Sequence, residues 1–261
     1  LSSADPVKVY QDYATLDLIS SQRAEITAGR GSFIESFPLF GYDLKDYNEL
    51  FEEKLELLVE LNKNKVINWE GKHRASIKNQ VIYPQPERKL PIWVAVGGTP
   101  ESVLRAARLG LPIIFAIIGG QPKQFKPLID FYKQQYLAFG HDVEKMEVAV
   151  HSHSFLADSQ EQLLENYFPF YAAQMDRIGK DRGWSPYTKM QFQGGMSPEG
   201  ALYMGDASQV AEKIIKTIEM FGLTRFVAHI DVGAPSHKEM MKAIELYGTK
   251  VVPEVKRAFQ K

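Results

Sequence analysis

The sequence predicts an α/β fold in which parallel strands alternate with covering helices. Two observations carry this. Short apolar runs at 24–28, 92–96, 113–118, 147–155 and 225–231 alternate with longer segments of helical periodicity. Glycine or polar residues stand at the carboxyl end of each run: Gly29-Arg30-Gly31, Gly97-Gly98-Thr99, Gly119-Gly120, His151-Ser152-His153 and Asp231-Val232-Gly233. Ligands of α/β sheets and barrels collect at that edge. Periodicity alone leaves a barrel and an open sheet equally open. It shows no linker and no repeat, so residues 1–261 read as a single domain.

The elements follow in order. Asp5 is placed to cap a helix over 6–20, with Pro6 at its first position and apolar residues such as Tyr10, Tyr13 and Ala14 at helical spacing. "RAEITAG" reads as a short buried strand ending at Gly29. A long helix is predicted from Asp43 to about Lys63, with Leu44, Tyr47, Phe51, Leu55, Leu58 and Leu61 on one face. Residues 64–90 are polar and broken by Pro84 and Pro86, which suggests irregular structure with a short hairpin. Ile92 to Val96 is a buried strand. Thr99 and Pro100 then start a helix that stops at Gly110. Further helices are predicted over 122–139 and 159–178, over 207–221 behind Asp206 and Gln209 as a variant capping box, and from Ser236 onward. "RGWSPYTKMQFQGG" lies in a long aromatic and glycine-bearing stretch. Residues 183–200 are therefore expected to form a loop, either disordered or a lid over a site, with the lid preferred.

Composition narrows the function classes. The chain is 44% hydrophobic and 24% charged, with a net charge of −1, so no overall field favours nucleic acid or a membrane surface. There is no cysteine, hence no disulfide framework and no thiol chemistry. No apolar run approaches the roughly 18 residues of a membrane span, and no signal peptide is visible.

Three stretches carry chemistry. "GGTPES" puts the amides of 98–102 at a helix start beside the hydroxyls of Thr99 and Ser102, a ready anion site or an ordinary glycine turn. Arg30, after a strand and before a helix, faces the same predicted edge. It can pair with a phosphate through two parallel bonds, or with Glu35 or Glu52 at the surface. His151 and His153 lie two apart on one strand and share a face. They are candidates for pocket lining, proton transfer, a hydrogen-bonded structural pair or, without a third ligand at convincing spacing, metal. No metal is expected. His229 reads as a structural, hydrogen-bonded residue, His237 as part of a helix start, and Trp93 and Phe226 as core.

With these residues in view, the chain resembles the bacterial luciferase-like monooxygenases, flavin-dependent enzymes built on a (β/α)₈ TIM barrel. The segments that carry the likeness, in order, are "DPVKVYQDYATLDLISSQRAEITAGRGSF", "LPIWVAVGGTPESVLRAARLGLPII", "GDASQVAEKIIKTIEMFG" and "MKAIELYGTKVVPEVK". The resemblance implies that Arg30, Gly98, Thr99 and Ser102 hold the flavin phosphate. Arg30 matches the arginine that follows the fourth barrel strand, where deazaflavin-using relatives often carry a small residue. That favours FMN over F420. His151 and His153 would lie near the ring or the substrate as the catalytic candidates.

The resemblance also implies a flavin reductase as supplier of FMNH₂, a small-molecule substrate oxidised with O₂, and a cytoplasmic homodimer. The alternatives are an F420-dependent hydride-transfer oxidoreductase and a non-catalytic flavin-binding protein. The family's barrel begins about three strand–helix units before the point at which this chain opens. The expectation is therefore of a chain carrying about the last five strands, the C-terminal portion of the barrel. The family's cis peptide and catalytic histidine would lie outside it.

Overall fold

The computed structural model describes residues 1–31, 33–180 and 182–260. It has an α/β fold and divides into two compact units, Leu1–Val96 with Leu111–Ile113, and Gly97–Gly110 with Ile114–Lys261, where the sequence had offered no boundary.

The first unit opens with α1 (Pro6–Ile19), whose cap Asp5 accepts from the amides of Val7 and Lys8. Its buried stripe is Pro6, Tyr10, Ala14 and Asp17, at helical spacing, while Leu16 and Leu18 stay exposed. Asp17 is fully buried. Arg88 Nη2 donates to its Oδ1 at 2.9 Å and the Ala24 amide at 3.2 Å. Strand β1 (Ile26–Ala28) is shorter than the apolar run suggested. After the one-turn helix α2 (Ser36–Leu39) and a 3₁₀ turn at Leu44–Asp46 comes α3 (Tyr47–Lys63). Most of the predicted apolar face of α3 is buried, Phe51, Leu55, Leu58 and Leu61 among it. The polar stretch after it does contain a hairpin, β2 (Val66–Trp69) with β3 (Ile77–Val81). Strand β4 (Ile92–Val96) runs parallel to β1, with Ile26 opposite Ile92 and Ala28 opposite Val94.

The second unit carries α4 (Pro100–Arg108), all but the first residue of β5 (Ile113–Ala116), and α5 (Lys126–Ala138), the last preceded by a 3₁₀ turn at Pro122–Phe125. Strand β6 (Val148–Leu156) is its longest. The Ile117 amide donates to His151 O at 2.9 Å, which carries the β5 segment along β6. Ser159 caps the short α6 (Gln160–Gln162), which passes through a π turn into α7 (Phe168–Lys180).

Two differences from the sequence reading follow. Residues 183–200 are not a loop throughout, because Lys189–Met196 form α8. The cause is a reciprocal capping box between Thr188 and Gln191, a signal that the flanking aromatic and glycine residues obscure. A sixth parallel strand, β7 (Tyr203–Gly205), joins the five expected; three residues are too few to show a period.

Strand β6 pairs in parallel with β7 through Ser154–Leu156 and with β8 (Arg225–His229) through Ala149–His153. Between them runs α9 (Ala207–Phe221). Asp206 caps it by accepting from Ser208 and Gln209, and Gly222 at φ 62° ends it. Helices α10 (His237–Leu246) and α11 (Val252–Phe259) close the chain. The core of this unit is strongly aromatic: Phe155 stacks on Tyr167 at 4.2 Å, with Tyr171 and Phe192 beside them. Phe226 is only half-buried and leans on Tyr203 at 4.6 Å, whereas Trp93 is core as expected. Among the described residues no helix is long and apolar enough to cross a membrane.

Candidate functional site

Alternation along β6 sorts its side chains. Ser152 and Ser154 turn to one side and donate to Ile117 O at 2.7 Å and Tyr203 O at 2.5 Å. His151 and His153 share the other side, as the spacing required. The parallel register sets His229 of β8 opposite His153. The three imidazoles form one cluster: His229 stacks on His151 at 5.0 Å and meets His153 edge-on at 5.3 Å. Asp231 Oδ1 lies 2.6 Å from His229 Nε2, and Tyr171 of α7 shares a 2.8 Å hydrogen bond with His153 Nδ1. His153 is almost completely buried and His151 about half.

Burial is the main reason that both are harder to protonate than free histidine. The neighbouring His229 adds to this, and Asp231 opposes it. His151 is lowered, and His153 falls from 6.5 to about 4. At neutral pH both are uncharged imidazoles, able to accept or pass a proton. Burial pushes the Tyr171 phenol far above its usual range, so it stays protonated.

The start of α4 is a second polar feature of this unit. Thr99 occupies the cap position, but its side chain takes no amide of the helix; its hydroxyl pairs with Ser102 Oγ at 2.8 Å. Gly98 holds φ 119°, and a Cβ there would stand 3.4 Å from the Phe125 ring, while one on Gly97 would meet open space. First-turn amides without a side-chain cap, two hydroxyls and glycines that leave room suit a phosphate group.

Arg30 belongs to the first unit. Its Nη1 donates to Asn48 Oδ1 at 2.8 Å and its guanidinium lies over the Tyr47 ring at 5.1 Å, rather than pairing with Glu35 or Glu52. His237 is the first residue of α10, as expected.

Sequence reasoning missed His229, Asp231 and Tyr171 as members of the cluster. The first two were open to it, since they stand two apart at the end of a strand just as His151 and His153 do. Tyr171 gives no local signal. Also missed was a group in the first unit, Asp46, Glu49 and His73, whose ligand atoms lie within 4.8 Å of one another; Lys72 already engages Glu49 there at 2.5 Å.

Parallel strand–helix units with polar side chains gathered at strand ends define an α/β fold of the kind whose ligands collect at that edge. Within that class the chain belongs to the luciferase-like monooxygenase family, whose model matches residues 1–228. It is 28% identical over 152 residues to the alkanal monooxygenase alpha chain of the Kryptophanaron alfredi symbiont, a match covering 56% of this chain and 41% of that protein. It is also 28% identical over 109 residues to the F420-dependent glucose-6-phosphate dehydrogenase of Amycolatopsis mediterranei, covering 41% of this chain and 32% of that one. These matches thus span less than half the length of either relative. Among solved structures, the monooxygenase RslO1 from Streptomyces bottropensis superposes with a TM-score of 0.80 at 20% identity, over 97% of this chain and 75% of that one.

Proposed function

We propose that the chain carries the flavin-binding portion of a monooxygenase that uses reduced FMN, delivered by a separate reductase, and O₂ to oxidise a small organic substrate. Membership of the family supports the class of chemistry. The observation that carries the cofactor assignment is the start of α4, where Thr99 leaves the helix amides uncapped. There the amides of the first turn and the hydroxyls of Thr99 and Ser102 hold the phosphate, and Gly98 lets it approach the backbone. The resemblance makes Arg30 a phosphate-ligand candidate in its own right, and its neutral partners leave its charge uncompensated.

Reduced flavin, when bound, supplies the electrons for O₂ activation. The protein residues position it and manage protons. His151 and His153, uncharged at neutral pH, are the proton-handling candidates, with Tyr171 fixing the ring of His153. The second reading, an F420-dependent hydride-transfer oxidoreductase, is favoured by the F420-dependent dehydrogenase among the relatives.

Titration of the protein with FMN, FMNH₂ and F420, followed by absorbance and fluorescence, separates the two. FMN or its reduced form is expected to bind, and Thr99→Ala with Ser102→Ala to weaken it by about ten-fold, equivalent to ~1.4 kcal/mol. F420 binding with no FMN binding selects the second reading, and binding of neither overturns both.

A further inference from the structure

A cavity of about 460 Å³, within the range of small-molecule sites, is lined in part by α8 through Gln191, Gly194 and Gly195. Its floor is the chain after β5, Ile118 to Gly120. Tyr171 and Met175 of α7 line it, together with Trp184, Tyr187 and Leu202. We propose that this cavity is a binding site for an uncharged aromatic or alicyclic molecule bearing a hydroxyl or carbonyl group. Its role as the substrate site rests on the monooxygenase reading, but its binding chemistry does not.

Three features carry the assignment. First, the surfaces are flat and polarisable. Trp184 and Ile118 remain 55% and 44% exposed, a cost in apolar area that an apolar ligand would recover. Trp184 is held in place before any ligand arrives. Its amide donates to Gly179 O at 3.0 Å, its side chain rests on Gly179 so closely that a Cβ there would come within 2.9 Å, and the Arg182 guanidinium covers its ring at 5.6 Å. Second, the polar groups on the lining are few and suit a neutral ligand. Gln121 and Gln191 offer amides, Glu199 brings a negative charge, and no Lys or Arg is among the described lining residues. A carboxylate ligand would therefore meet Glu199 and no cationic side chain on the lining itself. Third, the cavity adjoins the histidine cluster. Tyr187 packs against Tyr171 with ring centroids 5.4 Å apart, and Tyr171, itself on the lining, shares a hydrogen bond with His153 Nδ1. A ligand hydroxyl or carbonyl that engages the Tyr187 hydroxyl is thus placed beside the Tyr171–His153 pair.

The test uses the full chain without flavin and 2-naphthol as probe, titrated by its own fluorescence, with naphthalene, 2-naphthoate and decanal as competitors. 2-Naphthol is expected to bind, and Trp184→Ala to weaken it about ten-fold or more with the melting temperature unchanged. Trp184→Phe should keep most of the affinity. Tyr187→Phe should weaken 2-naphthol several-fold and leave naphthalene unaffected, which marks a hydrogen bond rather than lost packing. Equal binding of 2-naphthoate, tighter binding of decanal, or indifference to Trp184→Ala would each overturn the assignment. Loss of FMN binding with 2-naphthol binding intact would overturn the cofactor reading alone. Intact FMN binding with no 2-naphthol binding would overturn this one alone.

Discussion

Arg30 is held by groups that do not neutralise it. An amide oxygen and a ring face fix its guanidinium, and both come from the first turn of α3, at Asn48 and Tyr47. Tyr47 in turn donates to Gly31 O at 2.6 Å, so the turn after β1 and the side chain are set together. A charge oriented by neutral partners keeps its attraction for an anion, whereas one paired with a surface carboxylate has spent most of it. Arg30→Ala is accordingly expected to lower FMN affinity ten- to a hundred-fold, about 1.5–3 kcal/mol, with the fold retained. Arg30→Lys should recover only part, because a lone ammonium does not reproduce the bidentate fork. Fluorescence titration reads both, and unchanged affinity in the alanine variant would return Arg30 to a surface role. The residue itself stood out in the sequence between two glycines. Its partners did not, since contacts made eighteen residues away by a different element leave no local pattern.

Elements were legible where their ends are chemically marked. Asp5-Pro6, Asp206 and Ser236 each start a helix in the structure, and Gly110 and Gly222 each follow one, because caps and left-handed glycines act over a few residues. Short strands were not legible. β7 has three residues, and β1 occupies only part of its apolar run. α8 shows both sides of this. It is fixed at its start by the Thr188–Gln191 box and at its end by Lys213, whose Nζ donates to Ser197 O at 2.6 Å and Leu202 O at 2.8 Å. The first anchor is written in four residues; the second comes from α9 and is invisible locally. Thr188→Ala should weaken the start of α8 by about 1 kcal/mol. In hydrogen exchange, amides at 189–192 should lose protection while those of β6 keep theirs. Equal loss in both would show that the cap acts on the whole unit instead of its own helix.

Across the whole molecule, the fold class followed from the alternation of elements. The histidine cluster did not, because three rings from two strands meet only through a register that no single segment encodes. That cluster and the buried Asp17 give the chain a particular response to acid. His153 takes a proton only near pH 4 when folded but at its ordinary 6.5 when unfolded, and His151 is shifted in the same direction. Between those values the unfolded chain binds more protons, so stability is complete above about 6.5 and declines as the pH falls. For His153 the decline from pH 7 to pH 5 amounts to about 2 kcal/mol. Asp17 acts lower on the scale. The Arg88 hydrogen bond holds its carboxyl below the ordinary 3.8, so its contribution is present above that value and is lost as the pH falls through the folded-state value. Denaturant midpoints at pH 7, 5 and 3.5 separate the two. His153→Gln keeps an acceptor for Tyr171 and should flatten most of the decline from pH 7 to 5. Asp17→Asn should leave that interval unchanged, lower stability at pH 7, and converge on the parent protein at the acid end. If His153→Gln declines between pH 7 and 5 as steeply as the parent, the imidazole is not held neutral inside the second unit, and its part in proton handling falls with it.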